Sequence, residues 1–275
     1  MMQSSESGMR FSMDKKFSII IPNYNKEDYV EETLNSIFNQ TYKNYEVIVI
    51  DDASSDNSIE KIKKFDVRLF HTNRKMAGGA RNVGLDNATG DYILFLDSDD
   101  YFTTPTVLEE LNNLIKDEDM IFLNYTRDDF GQVKLMEEPK NSLEEKIENT
   151  KNLGCPTKCF KASLLKEIRF PEEKRYEDIN FTLEALCKTQ KYTYFENSFF
   201  TYRKVPTSNT TTEIKDDTMI DILEELVKMY RLCIKYPKYK LNILNRIKKD
   251  KLKERLEILN HSIEFNENKF FEIFK

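Results

Sequence analysis

The sequence predicts an α/β fold: a mostly parallel, Rossmann-like sheet with helices on both faces, followed by a helical C-terminal region. Three observations carry this expectation. Short apolar, β-branched runs alternate with helix-periodic segments through the first 125 residues. Polar or acidic residues follow the apolar runs at several separate places. The alternation stops near Asn141, and from Asp216 onward the pattern is helical.

The first run, Phe17-Ser18-Ile19-Ile20-Ile21, ends at Pro22. Tyr29 to Phe38 follows with Val30, Leu34, Ile37 and Phe38 at helical spacing. Tyr45 to Ile50 is a second strand, closed by Asp51-Asp52, and Ser58 to Phe65 a second helix. Asp66 to Phe70 is a weaker third strand, and Ala80 to Asn87 reads as helix. Tyr92 to Leu96 is a fourth strand ending at Asp97, with a helix over Pro105 to Ile115 and a fifth strand over Met120 to Tyr125. Near-continuous apolar runs of this length suit strands covered on both faces. Beyond them, Asn141 to Glu148 and Cys159 to Ile168 read as short helices. Glu177 to Lys188 reads as a stronger one, with Ile179, Leu183, Leu186 and Cys187 on one side. Tyr192 to Phe200 is strand-like, and the helical tail is interrupted at Pro237 and around Asn266.

Composition removes several classes. The 275 residues carry a net charge of −6, with 39% hydrophobic and 12% aromatic residues, enough for a real core. No apolar run approaches the ~18 residues of a spanning helix. Met1 to Lys16 lacks the apolar core of a secretory signal, so the expected location is the cytoplasm. Cys155, Cys159, Cys187 and Cys233 lack zinc-site spacing, and His71 and His261 stand far from them, so buried reduced thiols are expected. From Lys235 to Arg255 there are nine basic residues against two acidic ones, which leaves the rest of the chain strongly acidic. An acidic body does not suit a nucleic-acid groove. The basic tail, with Leu241, Leu244, Ile247, Leu252, Leu256, Leu259 and Ile263 at helical spacing, admits two readings: packing on the domain, or peripheral contact with an anionic membrane or another subunit.

Ligands of parallel sheets bind beyond the carboxyl ends of the strands. Those ends carry Pro22-Asn23-Tyr24-Asn25, Asp51-Asp52 and Asp97-Ser98-Asp99-Asp100. Carboxylates packed this closely repel one another unless a cation is present. Hard oxygen ligands suit Mg²⁺ or Mn²⁺, and in extended backbone Asp97 and Asp99 point the same way. The plain alternative is a solvated acidic turn. Asp51-Asp52 can accept hydrogen bonds from a base or ribose, while Asp56 suits a helix cap. Four of the seven glycines fall between Gly78 and Gly90, and Gly78-Gly79 is expected to form a tight turn opening a helix, near a phosphate or simply as a turn.

Taken together, Phe17 to Asn25, Gln40-Thr41-Tyr42, Val49 to Asp56, Ala80 to Leu85 and Gly90 to Asp100 resemble the nucleotide-binding half of the family 2 glycosyltransferases. The resemblance continues more thinly through Glu177-Asp178 and through Tyr202-Arg203 to Ser208. It implies a GT-A fold, with a nucleotide-binding half at 17–125, an acceptor-side half at 126–212, a polar extension at 1–16 and helices over 213–275. It also implies an inverting transfer from a nucleotide-diphosphate sugar, UDP-sugar favoured, to a glycan or lipid-linked acceptor in bacterial surface polysaccharide synthesis.

Carried onto this chain, the pattern places Pro22, Tyr24, Asn25, Asp52, Arg81, Asp97 and Ser98 on the nucleotide, and Arg203 and Ser208 on the diphosphate. Asp99 becomes the ligand of Mn²⁺ or Mg²⁺ in the DxD motif, and Asp178 the catalytic base. Glu177 and Asp100 stand behind them. Some relatives carry a metal-ligating His near Arg203, and this chain has none there. A nucleoside diphosphate leaves without a general acid, so one base suffices. Two other readings stay open: a non-catalytic nucleotide-sugar-binding protein and a sugar nucleotidyltransferase. The latter normally shows a Gly-rich basic loop where Asn23-Tyr24-Asn25 stands. A homo-oligomer is also left open.

Overall fold

A computed structural model describes residues 14–150, 152–172, 177–205 and 216–249, with side chains of the last stretch described from 225 to 248. Nine strands form one sheet: β1 (Phe17–Asn23), β2 (Tyr45–Asp51), β3 (Arg68–His71), β4 (Tyr92–Phe95), β5 (Tyr101–Phe102), β6 (Met120–Asp129), β7 (Gln132–Met136), β8 (Lys158–Lys161) and β9 (Tyr192–Arg203). The helices are α1 (Val30–Phe38), α2 (Ser58–Ile62), α3 (Met76–Asn87), α4 (Val107–Leu114), α5 (Leu143–Asn149), α6 (Asp178–Lys188), α7 (Asp216–Lys235) and α8 (Lys240–Lys249).

The strand order is β3-β2-β1-β4-β8-β6-β9-β5, with β7 paired to β6. The first four strands are parallel, as the alternating pattern predicts. β8 then runs antiparallel between β4 and β6, and β9 pairs parallel with β6, so the sheet is mixed beyond β4. β1, β2, β4, β6 and β9 therefore all deliver their C-terminal ends to one edge, where Asn23, Asp51, the acidic loop after β4 and Arg203 meet.

Alternation within the strands builds two cores. Phe17, Ile19 and Ile21 pack with Val30, Leu34 and Ile37 of α1 and with Leu108 and Leu111 of α4. Ile20, Ile48, Ile50 and Phe95 face the other way, toward Ala80 of α3 and toward Phe181 and Leu183 of α6. Fully burying one such side chain stabilises the fold by about 1.5–3 kcal/mol. Phe170 lies stacked on Phe181, 3.7 Å between ring centroids, with Phe95 edge-on to both. This aromatic clamp anchors the start of α6, and with it Asp178, against β4.

Two expectations are corrected. Cys159 to Ile168 is not a helix: it supplies β8, then a 3₁₀ turn over Ala162–Leu165. Pairing with β4 and β6 on both sides outweighs the helical spacing of its apolar residues. Gly78 and Gly79 lie inside α3, with no positive φ. The left-handed residues are Arg74 and Met76, just before them. Gly78 answers close packing instead: a Cβ there would run into the Pro171 carbonyl oxygen and stand 3.0 Å from Glu177 Cγ.

The tail breaks at Pro237, as expected, and its first two helices pack on the domain through Met229, Cys233 and Ile243. Leu241, expected on the apolar face, is exposed, and Ile243 is buried in its place. The break near Asn266 lies outside the described residues. All four cysteines are free and buried. Among the described residues no helix is long and apolar enough to cross a membrane.

Candidate active site

The end of β1 opens the site. Asn23 donates from Nδ2 to Asp51 Oδ1 at 2.8 Å, and Asp51 also receives the Ser54 amide and hydroxyl. Asn25 takes a positive φ of 49°, and its amide donates to Ser54 Oγ while its Oδ1 accepts from the Ser55 amide. This lattice fixes the turn that presents Tyr24, which is 41% exposed with the Arg74 guanidinium 4.9 Å over its ring. Pro22 is part-buried and stands opposite Ile50. Asp52 is buried, and its carboxylate accepts from Thr72 Oγ1 and from the Lys75 and Met76 amides. It thereby caps the start of α3; its resemblance-implied contact with the nucleotide would draw on the remaining lone pairs.

The acidic loop after β4 forms the floor. Lys26 Nζ donates to Asp99 Oδ2 at 2.5 Å. Burial and the Asp97 charge raise the Asp99 carboxyl above its ordinary value, against the pull of Lys26. Ser98 is buried, and its carbonyl accepts from Thr33 Oγ1. Asp100 is 1% exposed; its Oδ1 accepts the Arg203 amide, and its Oδ2 has no partner. Burial and the two neighbouring carboxylates push its carboxyl far up. Arg203 reaches Glu32 at 2.7 Å and lies across Tyr29 and Tyr101.

The opposite wall is joined to this floor by one side chain. Arg81 is buried in α3 and donates to Asp97 Oδ1 at 2.8 Å and to Glu177 Oε1. The resemblance sends Arg81 to the nucleotide; here its guanidinium bridges the donor-side loop and the residue preceding Asp178. Asp178 opens α6. Burial, helped by Glu177 and Asp97, pushes its carboxyl up to about 7, against Arg81 and Lys158. A carboxylate poised near neutrality is what a general base at physiological pH requires.

The structure thus gathers Tyr24, Asn25, Asp52, Arg81, Asp97, Ser98, Asp99, Asp100, Glu177, Asp178 and Arg203 at one sheet edge. Ser208 lies outside the described residues. Sequence reasoning missed Lys26, Arg74, Tyr29, Glu32 and Lys158. Lys26 directly follows the Asn-Tyr-Asn turn, a usable signal. The others are brought in by tertiary packing, and no local pattern marks them.

Among the described residues no three His, Cys, Asp or Glu side chains form a ready metal cage. The donor set still fits a divalent cation shared with a substrate. Asp99 and Asp97 repel one another, Asp100 keeps an unpartnered buried oxygen, and Lys26 meets Asp99 where a metal cation would. Mg²⁺ characteristically takes one or two carboxylates and completes its shell with phosphate and water.

Residues 18–204 match the family model described as Glycosyl transferase family 2. An uncharacterized glycosyltransferase of Haemophilus influenzae is 35% identical over 204 residues, 70% of this chain and 81% of that one. Poly(ribitol-phosphate) beta-N-acetylglucosaminyltransferase TarS of Staphylococcus aureus is 31% identical over 205 residues, 68% of this chain but only 35% of TarS. The crystal structure of S. aureus TarS 1-349 in complex with UDP-GlcNAc superposes with a TM-score of 0.65 at 27% identity, over 78% of this chain and 66% of that one.

Proposed function

The chain belongs to glycosyl transferase family 2, of GT-A fold, and from that premise we propose that it is an inverting, metal-assisted transferase. It moves a sugar from a UDP-sugar to a hydroxyl of a surface glycan or lipid-linked acceptor. The observation that carries the reading is the Arg81 bridge, which ties donor-side Asp97 to Glu177, the residue directly before Asp178. The likeness to TarS, solved with UDP-GlcNAc, supports UDP as the nucleotide and a teichoic-acid-type polymer as the acceptor class.

The chemistry follows from the geometry. Tyr24 offers an exposed ring for the base to stack on, and Asp52 and Asp97 offer acceptors to base and ribose hydroxyls. Asp99 would hold Mn²⁺ or Mg²⁺, with Lys26 released toward the phosphates. Held by Asp99, such a cation would supply positive charge against the departing diphosphate. Asp178 takes the proton of the acceptor hydroxyl as that oxygen attacks the anomeric carbon. The carbon–oxygen bond to the β-phosphate breaks, and UDP leaves with the electron pair. Attack from the face opposite the leaving group inverts the anomeric centre. With the diphosphate stabilised by cations, no second carboxylate is needed as acid. The basic stretch that starts at Lys235 and runs through α8 is proposed as the face turned toward an anionic leaflet or polymer at the inner side of the membrane.

The test is transfer from a panel of UDP-sugars in Mn²⁺ to a polyol-phosphate or glycan acceptor, followed by NMR of the product anomer. An α-linked donor should give a β-linked product with stoichiometric UDP release. Binding of donor without turnover would favour a non-catalytic binder, and retention of configuration would exclude Asp178 as a simple base.

A further inference from the structure

Lys158 is a buried cation that the chemistry above leaves unused. It lies in β8 and is 1% exposed. Its Nζ donates to the carbonyls of Asn152 and Gly154, each at 3.0 Å, and to Thr157 Oγ1 at 2.7 Å. All three acceptors belong to the one turn that separates this ammonium from α6. Gly154 forms the far side of that turn: a methyl group there would stand 3.8 Å from Asp178 Oδ2. A buried ammonium bonded only to neutral oxygens is costly, because desolvation is compensated by no carboxylate in contact. A methionine or leucine would fill the same volume at lower cost. Two acids act on this charge, Glu138 and, more weakly, Asp178; Glu138 is already held by Lys146, and Asp178 is the one that lies against the turn Lys158 clamps.

We infer that Lys158 is a positioning residue for the acceptor-activating carboxylate: it clamps the 152–157 turn against Asp178 and places a positive charge across that turn from the carboxyl. The inference rests on the reading of Asp178 as base. Asp178 is faced by Glu177 at the start of its own helix, Arg81 from α3, Asp97 from the loop after β4, Cys155 from the turn and Lys158 from β8. Burial keeps the Cys155 thiol protonated, so it contributes no charge. Arg81, the stronger of the two cations acting on Asp178, is already shared between Asp97 and Glu177; Lys158 forms no ion pair among the described residues and hydrogen-bonds only the turn beside Asp178. Lys158 in turn is faced by Glu138, Lys146, Cys155 and Asp178. Burial pulls its ammonium down to about 8, so it is still charged at neutral pH.

Two experiments bear on the inference. The pH profile of kcat/KM, taken with donor and Mn²⁺ saturating, should show its acidic limb displaced upward by about half a unit to one unit in Lys158→Met, the low end of what an opposite charge does to a carboxyl because a turn separates the two. At pH 6 the variant then loses about three- to ninefold in rate, and much of the loss is recovered at pH 8.5. Lys146→Met, which removes the other buried lysine, held by Glu138, should lower stability without moving that limb. A folded Lys158→Met protein with an unmoved acidic limb overturns the inference. Should that variant not fold, the reciprocal coupling decides the question in proteins that retain Lys158. NMR titration of ¹³Cε-labelled lysine should show the ammonium near pH 8 titrating lower in Asp178→Asn than in wild type; an unchanged titration overturns it. Full transfer activity in Asp178→Asn would instead remove the base assignment while leaving the measured coupling intact.

Discussion

Asp178→Asn should cost nearly all transfer and yet make the protein more stable at alkaline pH. The carboxyl titrates near 7 in the folded chain, against 3.8 for its ordinary value. A shift of about three units corresponds to about 4 kcal/mol of differential interaction, at ~1.4 kcal/mol per unit, and relaxation around a partly exposed side chain reduces that to about 1–3 kcal/mol. The sign is fixed by linkage. Between pH 4 and 7 the unfolded chain has already released the proton that the folded chain still holds, so wild-type stability falls as pH rises through that window and levels off above 7. The asparagine lacks this slope. Urea unfolding of both proteins should therefore show the variant ahead at pH 8 and level with wild type near pH 4. Transfer, assayed as UDP release with acceptor present, should fall by about 10²–10⁴-fold, the usual contribution of a general base. A variant no more stable at pH 8 than at pH 4, relative to wild type, would refute the burial argument. Retained transfer would refute the role.

Gly78→Ala should destabilise by about 1–3 kcal/mol, because the added methyl meets the Pro171 carbonyl and the Glu177 side chain; a thermal melt checks it, and kcat should fall as the segment leading to Asp178 shifts. Tyr24→Ala should weaken UDP binding by about 1–3 kcal/mol through lost base stacking, leaving the melting temperature almost unchanged; calorimetry with UDP reads it. Lys26→Met should tighten Mn²⁺ binding to the unliganded protein, because the ammonium on Asp99 no longer competes; Mn²⁺ titration by electron paramagnetic resonance reads this without any turnover.

The donor half of the fold was legible because its strands are buried on both faces and carry the signal locally. Ile19-Ile20-Ile21 and Val47 to Ile50 are wholly buried, and the residues after them are polar because they line the edge where ligands bind. β8 was not legible. Its four residues become a strand only by pairing with β4 and β6, which are distant in sequence, and in isolation Cys159 to Ile168 satisfies a helical pattern equally well. The paired β7, whose Val133 and Leu135 are exposed, carries no core-facing alternation to read. The same distinction holds in the site. Asp97, Asp99 and Asp178 stand out as acids at strand and helix ends. Lys26, Arg74 and Lys158 do not, because an isolated lysine or arginine reads as solvated until tertiary structure shows it buried or stacked. The Gly78-Gly79 pair was visible as a signal and misassigned in cause: close approach to the Pro171 carbonyl and the Glu177 side chain, rather than a left-handed turn, requires Gly78.

The most direct measurement is calorimetric titration of the catalytically silent Asp178→Asn protein with UDP-GlcNAc, with Mn²⁺ and with chelator, repeated after adding Asp99→Asn. The account predicts donor binding that strengthens with Mn²⁺ and loses that strengthening when Asp99 is replaced. Binding indifferent to both the cation and Asp99, or no binding of any UDP-sugar, would contradict it.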